Sequence, residues 1–160
     1  MIISNTTPIS NFLNLGQLDL LRRFFNKIHI PQAVYKEINK HFSRNEEWQR
    51  SMDEDFIVVH QLTPSVFLNQ FLASLHPGEA EALWLCIEKN ATLFLLDDRD
   101  ARSFAKVQKI KITGTLGLLI QAKKKRYIQS VKIVINKLKQ YNFWISDAMY
   151  NKVLSLSDEN

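Results

Sequence analysis

A short apolar run, Thr92-Leu93-Phe94-Leu95-Leu96, stops abruptly at Asp97-Asp98-Arg99-Asp100. A continuous run of this length between two helical patterns reads as a strand buried on both faces of a parallel sheet. Ligands of open α/β sheets bind just beyond the carboxyl ends of such strands. Two adjacent carboxylates there repel each other and do nothing for the strand, so a bound cation or a proton-transfer task accounts for them. A plainer use competes: Asp97 or Asp98 caps a helix starting near Arg99, with Asp100 favourable in its first turn.

The rest of the chain alternates in the same way. Residues 1–4 read as a first strand, ended by the capped helix start Asn5-Thr6-Thr7-Pro8. That short helix finishes at Leu13 and Leu15, and Gly16 closes it. A second apolar-periodic segment covers 18–25, and 28–30 form a short strand. Pro31 opens a helix with Ala33, Val34, Ile38 and Phe42 on its apolar face. Residues 43–55 are polar and mixed in charge, which predicts a loop or an exposed helical excursion. A strand follows over 56–59, then a modest helix over 64–72. A stronger helix runs over 77–89 with Ala80, Leu83, Trp84 and Ile87 as its buried stripe. Beyond the 92–96 strand come a helix over 99–109, a strand over 110–112, helices over 114–124 and 130–141, and a last helix capped by Ser146. Such alternation predicts an α/β/α sandwich around a mostly parallel sheet, in one domain spanning 1–160.

Composition excludes several classes. Four Gly and four Pro in 160 residues argue against a turn-rich β-sandwich. The single Cys86 permits no internal disulfide and sits in an apolar pattern as a small buried hydrophobe. The chain opens on a strand-like Met1-Ile2-Ile3 without a basic leader or a long apolar stretch, so neither signal peptide nor membrane helix is expected and the location is cytoplasmic. Net charge is +5 and unevenly spread. Residues 101–146 carry eleven basic side chains and no Asp or Glu, which leaves ten basic against sixteen acidic groups elsewhere. Within that span lie Arg102 and the cluster Lys123-Lys124-Lys125-Arg126. A basic third beside an acidic remainder suits a polyanion held against a carboxylate site, although a solvated lysine surface has the same composition.

In a parallel sheet the strand ends and the helix starts after them share one edge. Asn5 ends the first strand. Glu37 sits on the helix opened by Pro31, opposite its apolar stripe or at the rim. Glu79 stands in the first turn of the helix that leads to the Asp97 strand. Oxygen donors from four segments around one point follow the logic of a hard-cation site. Each also has a structural use: a dipole-favoured first turn for Glu79, a solvated position beside Lys36 and Lys40 for Glu37, a helix cap for Asn5. His29, His41, His60 and His76 lack ligand spacing, and one Cys cannot build a thiolate zinc site. No phosphate-cradling glycine loop and no nucleophile elbow are present.

Taken together, these residues resemble the PIN-domain ribonuclease superfamily, and within it a bacterial and archaeal PIN-like family of nucleic-acid-binding proteins. Ile3-Ser4-Asn5-Thr6-Thr7-Pro8-Ile9-Ser10 looks like its first motif, and Ile30-Pro31-Gln32-Ala33-Val34-Tyr35-Lys36-Glu37-Ile38 its second. Pro77-Gly78-Glu79-Ala80-Glu81-Ala82 and Leu95-Leu96-Asp97-Asp98-Arg99-Asp100-Ala101-Arg102 match the third and fourth. Thr113-Gly114-Thr115-Leu116-Gly117 and 146–153 match its tail. The resemblance implies an acidic pocket holding Mg²⁺ or Mn²⁺ on Glu37, Glu79 and Asp97, with Asp98 beside them. The first acidic position, usually Asp, is Asn5 here. Glu81 is the rival of Glu79. Two residues apart on a helix, the two cannot both point inward.

The expected function is a metal-dependent endoribonuclease, the toxin of a toxin–antitoxin pair, acting as a homodimer on RNA and met by a small antitoxin protein. Thr6 or Ser4 would position water, while Arg99, Arg102, Lys123, Lys124, Lys125 and Arg126 would hold the RNA backbone. Asn5 favours an alternative, a catalytically impaired PIN-like module that binds RNA or a protein partner. A phosphoacceptor receiver domain would need an acidic pair after the first strand, and Ser4-Asn5 does not supply one.

Overall fold

The computed structural model describes residues 1–160. Five parallel strands form one sheet: β1 (Ile2–Ser4), β2 (Ile28–Pro31), β3 (Ile57–His60), β4 (Leu93–Leu95) and β5 (Ile112–Thr113). They lie in the order β3-β2-β1-β4-β5, so the chain winds outward from β1 in one direction and from β4 in the other. Parallel neighbours need helical crossovers, and the helices cover both faces as an α/β/α sandwich. The two central strands are the most apolar, with Ile3, Phe94 and Leu95 fully buried. A ladder bond from the Asn5 N–H to the Leu95 carbonyl, 2.9 Å, continues past the last residue of β1. Asn5 and Asp97 are thereby set at the carboxyl ends of adjacent strands where the winding reverses, the place where such sheets bind ligands.

Seven helices connect these strands: α1 (Thr6–Asn14), α2 (Leu18–Arg22), α3 (Gln32–Phe42), α4 (Glu46–Asp53), α5 (Val66–Leu72), α6 (Pro77–Glu88) and α7 (Arg99–Val107). The polar stretch 43–55 is the helical excursion rather than the loop, and it is anchored to the core. It holds α4, capped by Asn45 and anchored by Trp48, which is 1% exposed and donates its indole N–H to Asn39. One aromatic ring docks a helix whose composition otherwise reads as surface. The buried face of α6 differs from expectation, comprising Ala80, Ala82, Leu83, Leu85 and Cys86, with Trp84 and Ile87 only half-buried. Burial drives the Cys86 thiol pKa far up, which suits its expected role as a small hydrophobe.

Backbone contacts divide the chain into two compact units, Met1–Thr113 and Gly114–Asn160. The second contains α8 (Thr115–Lys124), α9 (Val131–Leu138) and α10 (Asp147–Leu156). Its core is Leu118, Leu119, Ala122, Val131, Ile135, Leu138, Val153 and Leu154. Ser146 caps α10 as its sequence position predicts, accepting from the Met149 N–H at 3.2 Å. The terminal segment returns to the start of α9, where the Glu159 carboxylate accepts from the N–H groups of Val131 and Lys132 and from the Ser130 hydroxyl.

Candidate functional site

Helix α6 begins at Pro77-Gly78, where Glu79 Oε2 reaches back to accept from the N–H of His76, the N-cap residue, at 3.2 Å. The open N–H of Gly78 is taken by Glu37 Oε1 of α3 at 3.1 Å, while Glu37 Oε2 accepts from the Thr6 hydroxyl at the start of α1. A Cβ on Gly78 would lie 2.5 Å from Glu37 Oε1 and 2.6 Å from Oε2, so only glycine admits the carboxylate here. Helix α3 starts at the uncapped Pro31, and its Ala33 N–H is taken by Glu81 of α6 at 2.9 Å. Glu81 is thus turned to the start of α3, whereas Glu79 lines a cavity of about 380 Å³ with Ser74, Leu75, His76, Pro77, Asp98 and Asp100.

The electrostatics of that cavity centre on Glu79. Burial raises its pKa first, and the nearby Asp98 charge adds to the rise; the His76 N–H and imidazole oppose it, and Glu37 again raises it. Carboxylates that repel in this way are stabilised by a cation between them. Asp98 Oδ1 caps α7 through the Ala101 N–H at 2.8 Å, so the expected cap is Asp98 rather than Asp97. Asp97 Oδ2 accepts from the amide of Asn11 at 3.3 Å. Asn11 was not singled out from sequence. The one signal was a polar residue inside the apolar face of the first helix, where it is 7% exposed.

Asn5 is 3% exposed, and its side-chain oxygen is buried without a hydrogen-bond partner. It occupies the N-cap position of α1 but makes no capping bond, so that structural use is not realised. A buried acceptor left open is costly unless something binds it. The buried Ser4 hydroxyl donates to the Asn5 carbonyl at 2.8 Å, so its donor is used within the end of β1. No three Asp, Glu, His or Cys side chains form a ready-made metal cluster. The donors are nonetheless all oxygens, the Glu79 carboxyl is disfavoured as an anion by burial and then by like charge, and the Asn5 oxygen is open. This chemistry fits a hard divalent cation, which Asn5, Glu37, Glu79, Asp97 and Asp98 would hold.

The basic residues divide by role. Arg102 Nε donates to the Leu96 carbonyl at 2.9 Å and braces the end of β4, while Arg99 is exposed. Within the second unit Lys123 pairs with Glu159 at 3.5 Å, whereas Lys124, Lys125 and Arg126 are exposed. Lys123, Lys124 and Arg126 border a recess of about 570 Å³.

A parallel sheet with an acidic crevice where its winding reverses defines a PIN-like α/β domain. The chain belongs to the PIN-domain family: the family model DUF3368, described as a PIN domain, matches residues 1–159. PIN domains are generally nucleases that act on nucleic acid with divalent metals. No curated protein matches the chain significantly. Among solved structures it is similar to a PilT N-terminus domain protein from the hyperthermophilic archaeon Sulfolobus solfataricus P2. That likeness has a TM-score of 0.53 and 19% identity, over 76% of this chain and 93% of the other. Likeness at that identity speaks for the fold alone. No helix is long and apolar enough to cross a membrane.

Proposed function

We propose that this chain is a metal-dependent endoribonuclease cleaving single-stranded or structured RNA, the toxin of a toxin–antitoxin pair. The observation that carries the reading is the Glu79 carboxyl, set in one cavity with Asp98 and Asp100, where burial first and then repulsion from Asp98 and Glu37 disfavour its ionisation. Such repulsion has no benefit for folding and a clear one for a cation site. A bound Mg²⁺ or Mn²⁺ would supply Lewis acidity at the scissile phosphate and lower the pKa of water there. The protein's own part is positional. Thr6 and Gly78 fix both Glu37 oxygens, Asn11 orients Asp97, and the Ala101 N–H holds one oxygen of Asp98 and leaves the other open. Exposed Lys124, Lys125 and Arg126 would bind RNA phosphates, within one PIN-like domain spanning 1–160. A small antitoxin partner, assembly as a homodimer and a cytoplasmic location accompany this reading on family grounds.

One feature favours a second reading. The buried neutral amide of Asn5, where an acid is usual in the family, removes a formal charge from the cation site. A module that binds RNA or a protein partner without cutting would tolerate that loss. Incubating the chain with a mixed RNA pool across Mn²⁺ and Mg²⁺ titrations tests both. Metal-dependent cleavage that disappears in Asp97→Asn supports the nuclease. Intact RNA at every metal concentration, with retained binding, supports the second reading instead.

A further inference from the structure

Beside the acidic cavity stands an aromatic pair to which the catalytic reading gives no task. Phe71 of α5 and Phe104 of α7 meet edge to face, with ring centroids 6.3 Å apart and planes at 85°. Neither ring lines the cavity itself; each stands one turn of chain from a residue that does. Phe104 lies one helical turn beyond Asp100, and spacing of four residues places the two on the same face of α7. Phe71 lies one turn before Leu75, whose N–H bonds to the Phe71 carbonyl at 2.8 Å. Asp100 and Leu75 are both cavity residues. Each ring thus adjoins the carboxylate site at a remove of one helical turn, about 5.4 Å of rise.

Phe104 is 36% exposed, while Phe12 and Phe94 in the same unit are fully buried. An edge-on contact leaves ring faces uncovered that a stacked pair would consume. Residues 61–75 carry no Asp, Glu, Lys or Arg, so the stretch that gives Ser74 and Leu75 to the acidic cavity is uncharged. Proteins that bind single-stranded nucleic acid combine a backbone site with aromatic faces on which bases stack. We infer that Phe104, supported by Phe71, is a stacking subsite for an unpaired nucleobase adjoining the phosphate held at the acidic cavity. The inference rests on the nuclease reading and deepens it: the strand must be single at this point, because a paired base cannot reach a side-chain ring.

Binding of a short oligouridylate, with Ca²⁺ as the probe cation, tests the subsite by fluorescence anisotropy. The same oligonucleotide with abasic sites serves as a second probe. Phe104→Ala should weaken binding of the base-bearing strand by about tenfold or more, the size typical of lost stacking aromatics. It should leave the abasic strand unaffected. Phe104→Trp should retain affinity and Phe104→Leu should not, since leucine keeps the apolar surface but lacks a π face. Equal binding by Phe104→Leu and the parent overturns the inference. So does a Phe104→Ala variant that binds within twofold of the parent, or one that changes only the oligomeric state, which would make this surface a protein interface. If the parent binds neither strand, the nuclease reading itself fails, and that outcome is distinct from the loss of the stacking subsite alone.

Discussion

Glu37 and Glu81 exchange helix caps: the carboxylate of Glu37 on α3 closes the start of α6, and that of Glu81 on α6 closes the start of α3. Removing Glu81 should therefore harm folding and leave the cation site intact. We expect Glu81→Ala to lower unfolding stability by about 1 kcal/mol, as lost helix caps do. Mn²⁺ affinity by calorimetry should stay near the parent value. A variant of normal stability that has lost metal affinity would reassign Glu81 to the cation.

Gly78→Ala should do the opposite. The added methyl meets the Glu37 carboxylate at 2.5 Å, so that group must swing away from both Thr6 and the helix start. Reduced metal affinity and reduced RNA cleavage are expected together, with the fold retained by circular dichroism.

Asn5→Asp should tighten Mn²⁺ binding by at least tenfold and raise cleavage. A full charge about 4 Å from a unit positive charge interacts by about 4 kcal/mol at an effective dielectric of about 20, and a divalent ion doubles this before water and relaxation reduce it. Without metal the same variant should be less stable than the parent, because it buries one more carboxylate among like charges. Thermal melts with and without Mn²⁺ read both effects. Unchanged metal affinity would place Asn5 outside the ligand set.

Replacing Lys124, Lys125 and Arg126 together by Ala should weaken RNA binding and flatten its salt dependence. Each lost phosphate contact removes roughly 0.7–0.9 from the log–log slope. Lys123 is better left in place, because its ion pair with Glu159 makes it part of the second unit's own structure. An unchanged slope would mark the three as a solvated surface.

His29 on β2 and His60 on β3 share one hydrogen bond, Nδ1 to Nε2 at 2.8 Å, which a doubly protonated pair cannot make. Burial lowers the pKa of His29 first, followed by the charges of His60, the N-terminus and Lys27; burial and Lys89 lower that of His60, with Glu88 opposing. Because the folded values lie below the unfolded ones, the contribution is full above about pH 6.5 and is lost as pH falls through the depressed folded values. His60→Gln should flatten the pH dependence of urea unfolding in that window. A parent protein equally stable on both sides of it would contradict this.

Legibility in the sequence followed chemical periodicity. The buried strand ending at Asp97 was readable because only apolar side chains survive on both faces of a central strand. Glu79 and Glu81 could be separated because two helical positions differ by roughly 200°. Helix α4 was not readable as packed structure: a single indole, Trp48, anchors a segment of otherwise polar composition. Nor could the role of Glu37 at Gly78 be read, since its partner lies 41 positions away and nothing local marks the pair. The tie between Asn11 and Asp97, 86 positions apart, was hidden for the same reason.

The borrowed caps also bear on how the chain reaches its native state. Helices α2 and α3 lack closing side chains of their own and α6 has only Glu79 on the His76 N–H; the three draw on Glu47, Glu81 and Glu37, across separations of 29, 48 and 41 residues. A cap from afar stabilises nothing until the intervening loop has closed, and that closure carries an entropic cost. Excised as peptides, these three segments should fray at their first turns. In the intact chain their ends should gain hydrogen-exchange protection together, late and cooperatively, because each helix waits for the arrival of another.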